Sequence, residues 1–117
     1  MPYRVVNKTR GKVLATSAVD ATSFTDRFLG LMGRKELPFG EALHLVPCNS
    51  IHTFFMRIPI DALFLDAGGK VIKAFPALPA WRVTGLYFKV RSVLELPAGT
   101  LAGSGTVAGD ELVFEMT

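Results

Sequence analysis

The sequence predicts a mainly β fold with some α structure: a compact, partly closed antiparallel β-barrel of short strands, with one clear helix in its N-terminal half. Half of the residues are hydrophobic and 20% are charged, which is typical of a chain that buries a core. Eleven glycines and seven prolines divide the chain into short segments, most of them rich in β-branched and aromatic residues. Because 117 residues is the usual size of one domain, we expect a single domain over residues 1–117.

The strands are predicted from runs of β-branched and aromatic residues that lie between turn residues. The predicted strands are Tyr3–Asn7, Val13–Ala18, Ala42–Val46, Ile51–Met56, Ala62–Asp66, Lys70–Phe75, Val83–Phe88, Val90–Leu96 and Glu111–Met116. Gly11 lies in the turn of a first hairpin, and Ala67-Gly68-Gly69 turns the chain into a second one. Gly109 and Asp110 predict a further turn, in which Asp110 caps local amide groups.

One helix is predicted after the first hairpin. Ser23 and Asp26 have capping-box spacing, and Phe24 and Phe28 follow at helical spacing. We therefore expect a short amphipathic helix over Ser23–Met32 that covers one face of the sheet.

Several blocks of residues resemble, in order, those of one prokaryotic family. The blocks are Arg27–Arg34 (RFLGLMGR), Pro47–Met56 (PCNSIHTFFM), Pro59–Asp61 with Phe64–Asp66, Val93–Thr100 (VLELPAGT) and Gly109-Asp110. Together they resemble the uncharacterised family called domain of unknown function 192, in the branch with a Pro-Cys-x-Ser-Ile-His-Thr-Phe-Phe-Met block. The resemblance implies a small β-barrel-like fold, and it supplies no substrate, cofactor or reaction.

Composition and charge argue against several kinds of protein. No apolar run approaches the roughly 20 residues of a membrane helix, and the first residues lack the apolar stretch of a signal peptide. With the single cysteine, Cys48, which agrees with a reducing compartment, this predicts a cytoplasmic protein without membrane contact. A net charge of +3 without a basic run among aromatics does not indicate a dedicated nucleic-acid-binding protein. The glycines form no phosphate-binding pattern, and we expect no cofactor.

The leading functional hypothesis places a pocket between the predicted helix and the strand that follows Ser50. Arg27 on the helix either forms an ion pair, with Asp61 or Glu95, or binds an anion through its guanidinium. His52 lies on one face of the predicted strand, where it is either a core histidine or a group that lines the pocket.

This hypothesis describes a non-catalytic ligand-binding or accessory module rather than an enzyme. Its ligand is expected to be a small anion. Its expected pocket residues are Arg27, Met32, His52, Met56 and Asp61.

Three other interpretations involve different residues. Cys48 and His52 are the pair that a thiol-dependent, hydrolase-like enzyme would use, and only the fold decides whether they meet. A protein–protein interaction module would use an apolar patch around Trp81. His44, Cys48 and His52 are four residues apart, but on a strand this spacing separates neighbours by about 13 Å. A structural zinc ion also takes four ligands, so we expect no metal site.

Overall fold

A seven-stranded sheet organises the described part of the molecule. The computed structural model describes residues 2–23, 31 and 33–116. In chain order the elements are β1 (Tyr3–Asn7), β2 (Lys12–Ala21), β3 (Gly40–Leu45), β4 (Ile60–Leu65), β5 (Val71–Leu78), β6 (Ser92–Pro97), the short helix α1 (Thr100–Ser104) and β7 (Leu112–Met116). The predicted mainly β fold class is thereby confirmed.

The strands lie in the order β5-β4-β6-β3-β2-β1-β7, and the sheet curls into a half-barrel that is not fully closed. Its two edge strands approach each other at one end, where Lys70 and Glu111 form an isolated bridge. There the Leu112 N–H also donates to the Gly69 carbonyl at 2.9 Å. The sheet is antiparallel as expected except at one pair of strands, because β2 and β3 run parallel. The long connection between them carries the chain back to the other end of the sheet, as parallel pairing requires.

Both predicted hairpins are confirmed. β1 pairs with β2 around the turn that contains Gly11, and β4 pairs with β5 around residues 67–69. Asp110 caps a turn as predicted, since its Oδ2 accepts the Val107 N–H at 3.1 Å. A hydrogen bond from Arg10 is the main cause that holds the pKa of Asp110 below its usual value.

Two of the predicted strands were wrong. Residues 51–56 and 83–88 form an irregular ribbon that contains one isolated bridge, between His52 and Val83. Phe55 and Trp81 have positive φ angles of 63° and 64°, which lie outside the β region and end regular pairing. The predicted helix over Ser23–Met32 lies almost entirely outside the described residues. α1, in contrast, forms in a Gly-rich stretch for which no helix was expected.

The two faces of the sheet bury separate apolar clusters. The inner cluster takes side chains from all seven strands, including Val5, Leu63 and Leu94, and fills the inside of the curl. The outer cluster takes the alternate residues, such as Phe64 and Val93, and packs them against the irregular segments that cover this face. Within the described residues no helix is both long and apolar enough to cross a membrane.

Candidate functional site

A cleft of about 380 Å³ opens beside the inner cluster, where the turn between β4 and β5 comes close to β7. His44 of β3, Ser92 of β6 and Phe114 of β7 contribute to its lining. Arg91 and Asp66 supply charged groups at its rim. The mouth of a curled sheet is a usual place for a ligand site, because the strand ends there bring residues from distant parts of the chain together.

His44 is the most unusual residue of this cleft. Its position opposite Leu94 places it on the inner face of the sheet, and its side chain is only 7% exposed. Its Nδ1 lies 3.1 Å from Oδ1 of Asp20, and its ring meets the Phe114 ring edge-on at 4.6 Å. Its Nε2 is buried and has no hydrogen-bond partner in the described part of the chain. A buried polar atom without a partner is rare in folded proteins and often marks a functional position.

The partners of His44 determine which hydrogen-bonding role its free nitrogen has. Burial lowers the pKa of His44 below its ordinary value, and the hydrogen bond with Asp20 opposes this effect only in part. The imidazole is therefore neutral at pH 7. A carboxylate only accepts hydrogen bonds, so Nδ1 carries the proton and Nε2 presents a lone pair. Asp20 also accepts from the Tyr3 hydroxyl at 2.5 Å, which holds the carboxylate in position behind the histidine.

The cleft lining combines two polar groups of different character. Nε2 of the neutral His44 ring is a hydrogen-bond acceptor, and the Arg91 guanidinium is a donor with a positive charge. Asp66 is partly occupied within its own turn, since its Oδ1 accepts the N–H groups of Gly68 and Lys70, each at 2.9 Å.

The residues of the sequence-based pocket have separate environments where they are described. Arg27 and Met32 lie outside the described residues, so the pocket itself stays a prediction. His52 is half-buried, and its Nδ1 accepts the Phe54 N–H at 3.2 Å. Met56 is buried in the outer cluster.

Asp61 is buried within β4, and both of its oxygens accept backbone hydrogen bonds. Oδ1 accepts the Ala77 N–H at 2.7 Å, and Oδ2 accepts the Leu101 N–H at 2.8 Å. These contacts tie the end of β5 and the start of α1 to the centre of the sheet. They describe a structural role for this carboxylate.

The family of this chain follows from its match to known proteins. The family model DUF192, described as uncharacterized ACR, COG1430, matches residues 5–114. The chain belongs to this family. The resemblance seen in the sequence blocks is thereby confirmed.

Similar proteins agree with this assignment and add no activity to it. A UPF0127 protein of Thermococcus sibiricus is 32% identical, over 96% of this chain and 75% of its own length. A UPF0127 protein of Pyrococcus furiosus is 31% identical, over 92% of this chain and 95% of its own length.

Two crystal structures share the fold of this DUF192 chain, each with a TM-score of 0.82. One is a protein of unknown function from Novosphingobium aromaticivorans, with 22% identity over 97% of this chain and 84% of that one. The other is described as a putative transcription regulator from Sinorhizobium meliloti, with 21% identity over 96% of this chain and 91% of that one. At these identities the likeness shows the fold alone.

Within this DUF192 chain, Cys48 is half-buried, and its Sγ–H donates to the Ser50 carbonyl at 3.0 Å. A hydrogen bond in which the thiol is the donor favours the protonated form, which is less reactive than the thiolate. Among the described residues, no group of three or more potential ligands could hold a metal ion.

We therefore expect Cys48 to react slowly with iodoacetamide in the folded protein. The alkylation rate of Cys48 in the folded protein between pH 6 and pH 8 should lie well below its rate in the same chain unfolded in urea. Both rates are followed by mass spectrometry. Alkylation faster than in urea would contradict this expectation and would favour the thiol-dependent enzyme with Cys48 and His52.

The structural roles of two buried polar residues were not predicted from the sequence. Thr53 is fully buried, and its Oγ1 donates to the Pro79 carbonyl at 2.7 Å and accepts the Arg82 N–H at 2.8 Å. Glu95 is buried in β6 on the outer face, opposite Ala62. From the sequence it was considered only as a partner for Arg27. Its Oε1 has no hydrogen-bond partner among the described residues, and burial raises its pKa to about 8. The available sequence signal was a single carboxylate within an otherwise apolar strand.

Proposed function

We propose that this DUF192 chain is a non-catalytic accessory module that binds a small anionic ligand in the cleft beside His44. The observation that carries the proposal is the buried Nε2 of His44, which lacks a partner among the residues that the structure describes and belongs to a residue that lines a cleft of sufficient size. A ligand that donates a hydrogen bond to this atom would satisfy it and remove the free-energy cost of leaving it unpaired.

The cleft is favoured over a larger hollow of about 550 Å³ beside α1. That hollow is lined mainly by small apolar groups, among them Ala74, Pro76 and Ala108. Its described lining residues include no buried nitrogen without a partner that could orient a ligand. A binding site is defined by a few well-placed polar groups in a cleft, so volume alone does not decide between the two.

The proposed ligand class follows from the two polar groups of the cleft. Arg91 selects a carboxylate or phosphate, and the lone pair of His44 selects a hydroxyl or N–H beside it. The pocket around Arg27 and His52 remains a separate prediction for the same type of ligand.

The test compares glycolate with acetate, which differ by one hydroxyl group. In titrations followed by amide chemical shifts, both anions should perturb the amides of Gly68 and Ser92. Glycolate should bind about fivefold more tightly than acetate, because one additional hydrogen bond contributes roughly 1 kcal/mol. The preference should vanish as the pH falls through the lowered pKa of His44, since protonated Nε2 donates and no longer accepts.

The matched variants are His44→Phe and His52→Phe, which alter the only two histidines of the chain. We expect His44→Phe to abolish the preference for glycolate and His52→Phe to retain it. Equal binding of both anions by the unaltered protein at pH 7.5, or perturbations confined to other surfaces, would refute the proposal.

A further inference from the structure

Four side chains of the irregular ribbon and the neighbouring Trp81 form a contiguous surface, which we call the aromatic patch: His52, Phe54, Phe55, Trp81 and Val83. The rings of Phe55 and Trp81 lie 4.7 Å apart, those of Phe54 and Trp81 6.0 Å apart, and those of His52 and Phe54 5.3 Å apart. Val83 is the bridge partner of His52. Phe55, Trp81 and Val83 are 60%, 56% and 69% exposed, so the patch presents large apolar groups to solvent.

The backbone that carries this patch is strained. Phe55 and Trp81 both have φ angles in the left-handed region, at 63° and 64°, which bulky side chains rarely adopt. Thr53 holds both of them in place. Its carbonyl accepts the Trp81 N–H at 2.9 Å and the Met56 N–H at 3.3 Å, on either side of the turn. Strained residues whose side chains are exposed rather than packed in a core suggest a role outside folding.

The two segments that carry the aromatic patch have charges of one sign. The covering segments 46–59 and 79–91 contain four basic residues, including Arg57 and Arg82 beside the patch, and no Asp or Glu. Trp and Arg together are the residue types most enriched at the centres of protein interfaces. Arg57 and Arg82 would repel a second copy of the same patch, which disfavours a symmetric dimer through this surface.

We propose that the aromatic patch docks a protein segment that carries an apolar anchor side chain flanked by carboxylates. The anchor packs on the Phe55 and Trp81 rings, and the carboxylates face the two arginines. Single-stranded nucleic acid fits less well, because the Trp81 ring is tilted by 39° from that of Phe54 and by 60° from that of Phe55, so the rings form no common stacking face. The aliphatic Val83 also extends the surface as an apolar patch rather than as a stacking platform.

The test selects 12-residue peptides from a random displayed library on the intact protein, after subtraction of binders to the Phe55→Gly variant. Glycine adopts positive φ without strain, so this variant removes the ring while it keeps the backbone. The enriched peptides should combine an aromatic or aliphatic residue with at least two carboxylates. Binding of one such peptide is measured by the emission of Trp81, which is the only tryptophan of the chain.

Phe55→Gly should weaken peptide binding by about 30-fold, the typical effect of removing an interface hot spot. Its urea midpoint should be unchanged or higher, because the strain is relieved. Arg82→Glu should also weaken binding and should reduce its sensitivity to salt. The control Phe39→Ala removes a ring elsewhere that is even more exposed, at 74%, and should change neither the peptide binding nor its sensitivity to salt.

Three outcomes would overturn the proposal. One is the absence of enrichment, or enrichment of basic peptides. The second is a lower urea midpoint for Phe55→Gly, which would make the ring part of the fold. The third is tighter binding of a 12-residue oligothymidine than of the selected peptide, which would identify the patch as a nucleic-acid site.

Discussion

Glu95→Gln is expected to stabilise the folded protein at pH 8 and to remove most of the pH dependence of its stability between pH 4.5 and pH 8. Burial raises the pKa of Glu95 from 4.5 to about 8, so the folded state keeps a proton that the unfolded state releases. A raised pKa in the folded state contributes stability that is present below pH 4.5 and is lost as the pH rises through about 8. Since one pKa unit corresponds to about 1.4 kcal/mol, the loss has a ceiling of about 5 kcal/mol.

The measurement is urea unfolding at pH 5 and at pH 8. Gln is neutral at both values and nearly the same size as the protonated acid, so the variant should resemble the original protein at pH 5 and exceed it at pH 8. Glu111→Gln alters an exposed carboxyl group and serves as the control, with little change at either pH. A loss of stability for Glu95→Gln at pH 8 would contradict the expectation, and it would instead support the ion pair between Arg27 and Glu95 that the sequence raises.

Local sequence signals were sufficient for the elements that depend on local chemistry. Gly11 and Gly69 have positive φ angles in the two hairpin turns, which is why glycine-rich turns predicted those hairpins correctly. The run Ile51–Met56 has the composition of a strand, yet contacts with residues 79–84 override it. Thr53 bonds to the backbone of that distant segment, and such a contact has no signature within a short window.

The candidate site was harder to predict because its residues meet only in the folded chain. Asp20, His44 and Phe114 come from β2, β3 and β7, and their approach depends on the parallel pairing of β2 with β3 and on the curl of the sheet. A histidine in an apolar strand predicts burial at most. Whether its second nitrogen finds a partner depends on residues distant in sequence.

Asp61→Ala is expected to destabilise the protein by about 3–6 kcal/mol, because it leaves two backbone N–H groups without their acceptor. The N–H groups of Ala77 and Leu101 donate to this carboxylate. Each hydrogen bond to a charged group contributes about 1.5–3 kcal/mol. Ala77 also has a positive φ of 50°, so its hydrogen bond holds a strained residue in place. Most domains have a free energy of unfolding of only about 5–15 kcal/mol, and the loss should be plain in urea unfolding.

Asp61→Asn separates this structural role from the ligand-binding role that the sequence suggests for Asp61. The amide keeps one acceptor oxygen, so about half of the destabilisation should remain. Asp66→Asn is the matched control, because this half-exposed residue also accepts backbone N–H groups. Its hydrogen bonds lie within a surface turn, where water can replace them. The variant should therefore lose only about 1 kcal/mol of stability. An unchanged urea midpoint for Asp61→Ala would contradict the structural role and would leave the ligand-binding role as the alternative. The two short hydrogen bonds that join Asp61 to β5 and α1 argue for the opposite result, a protein that loses its fold before it loses a ligand.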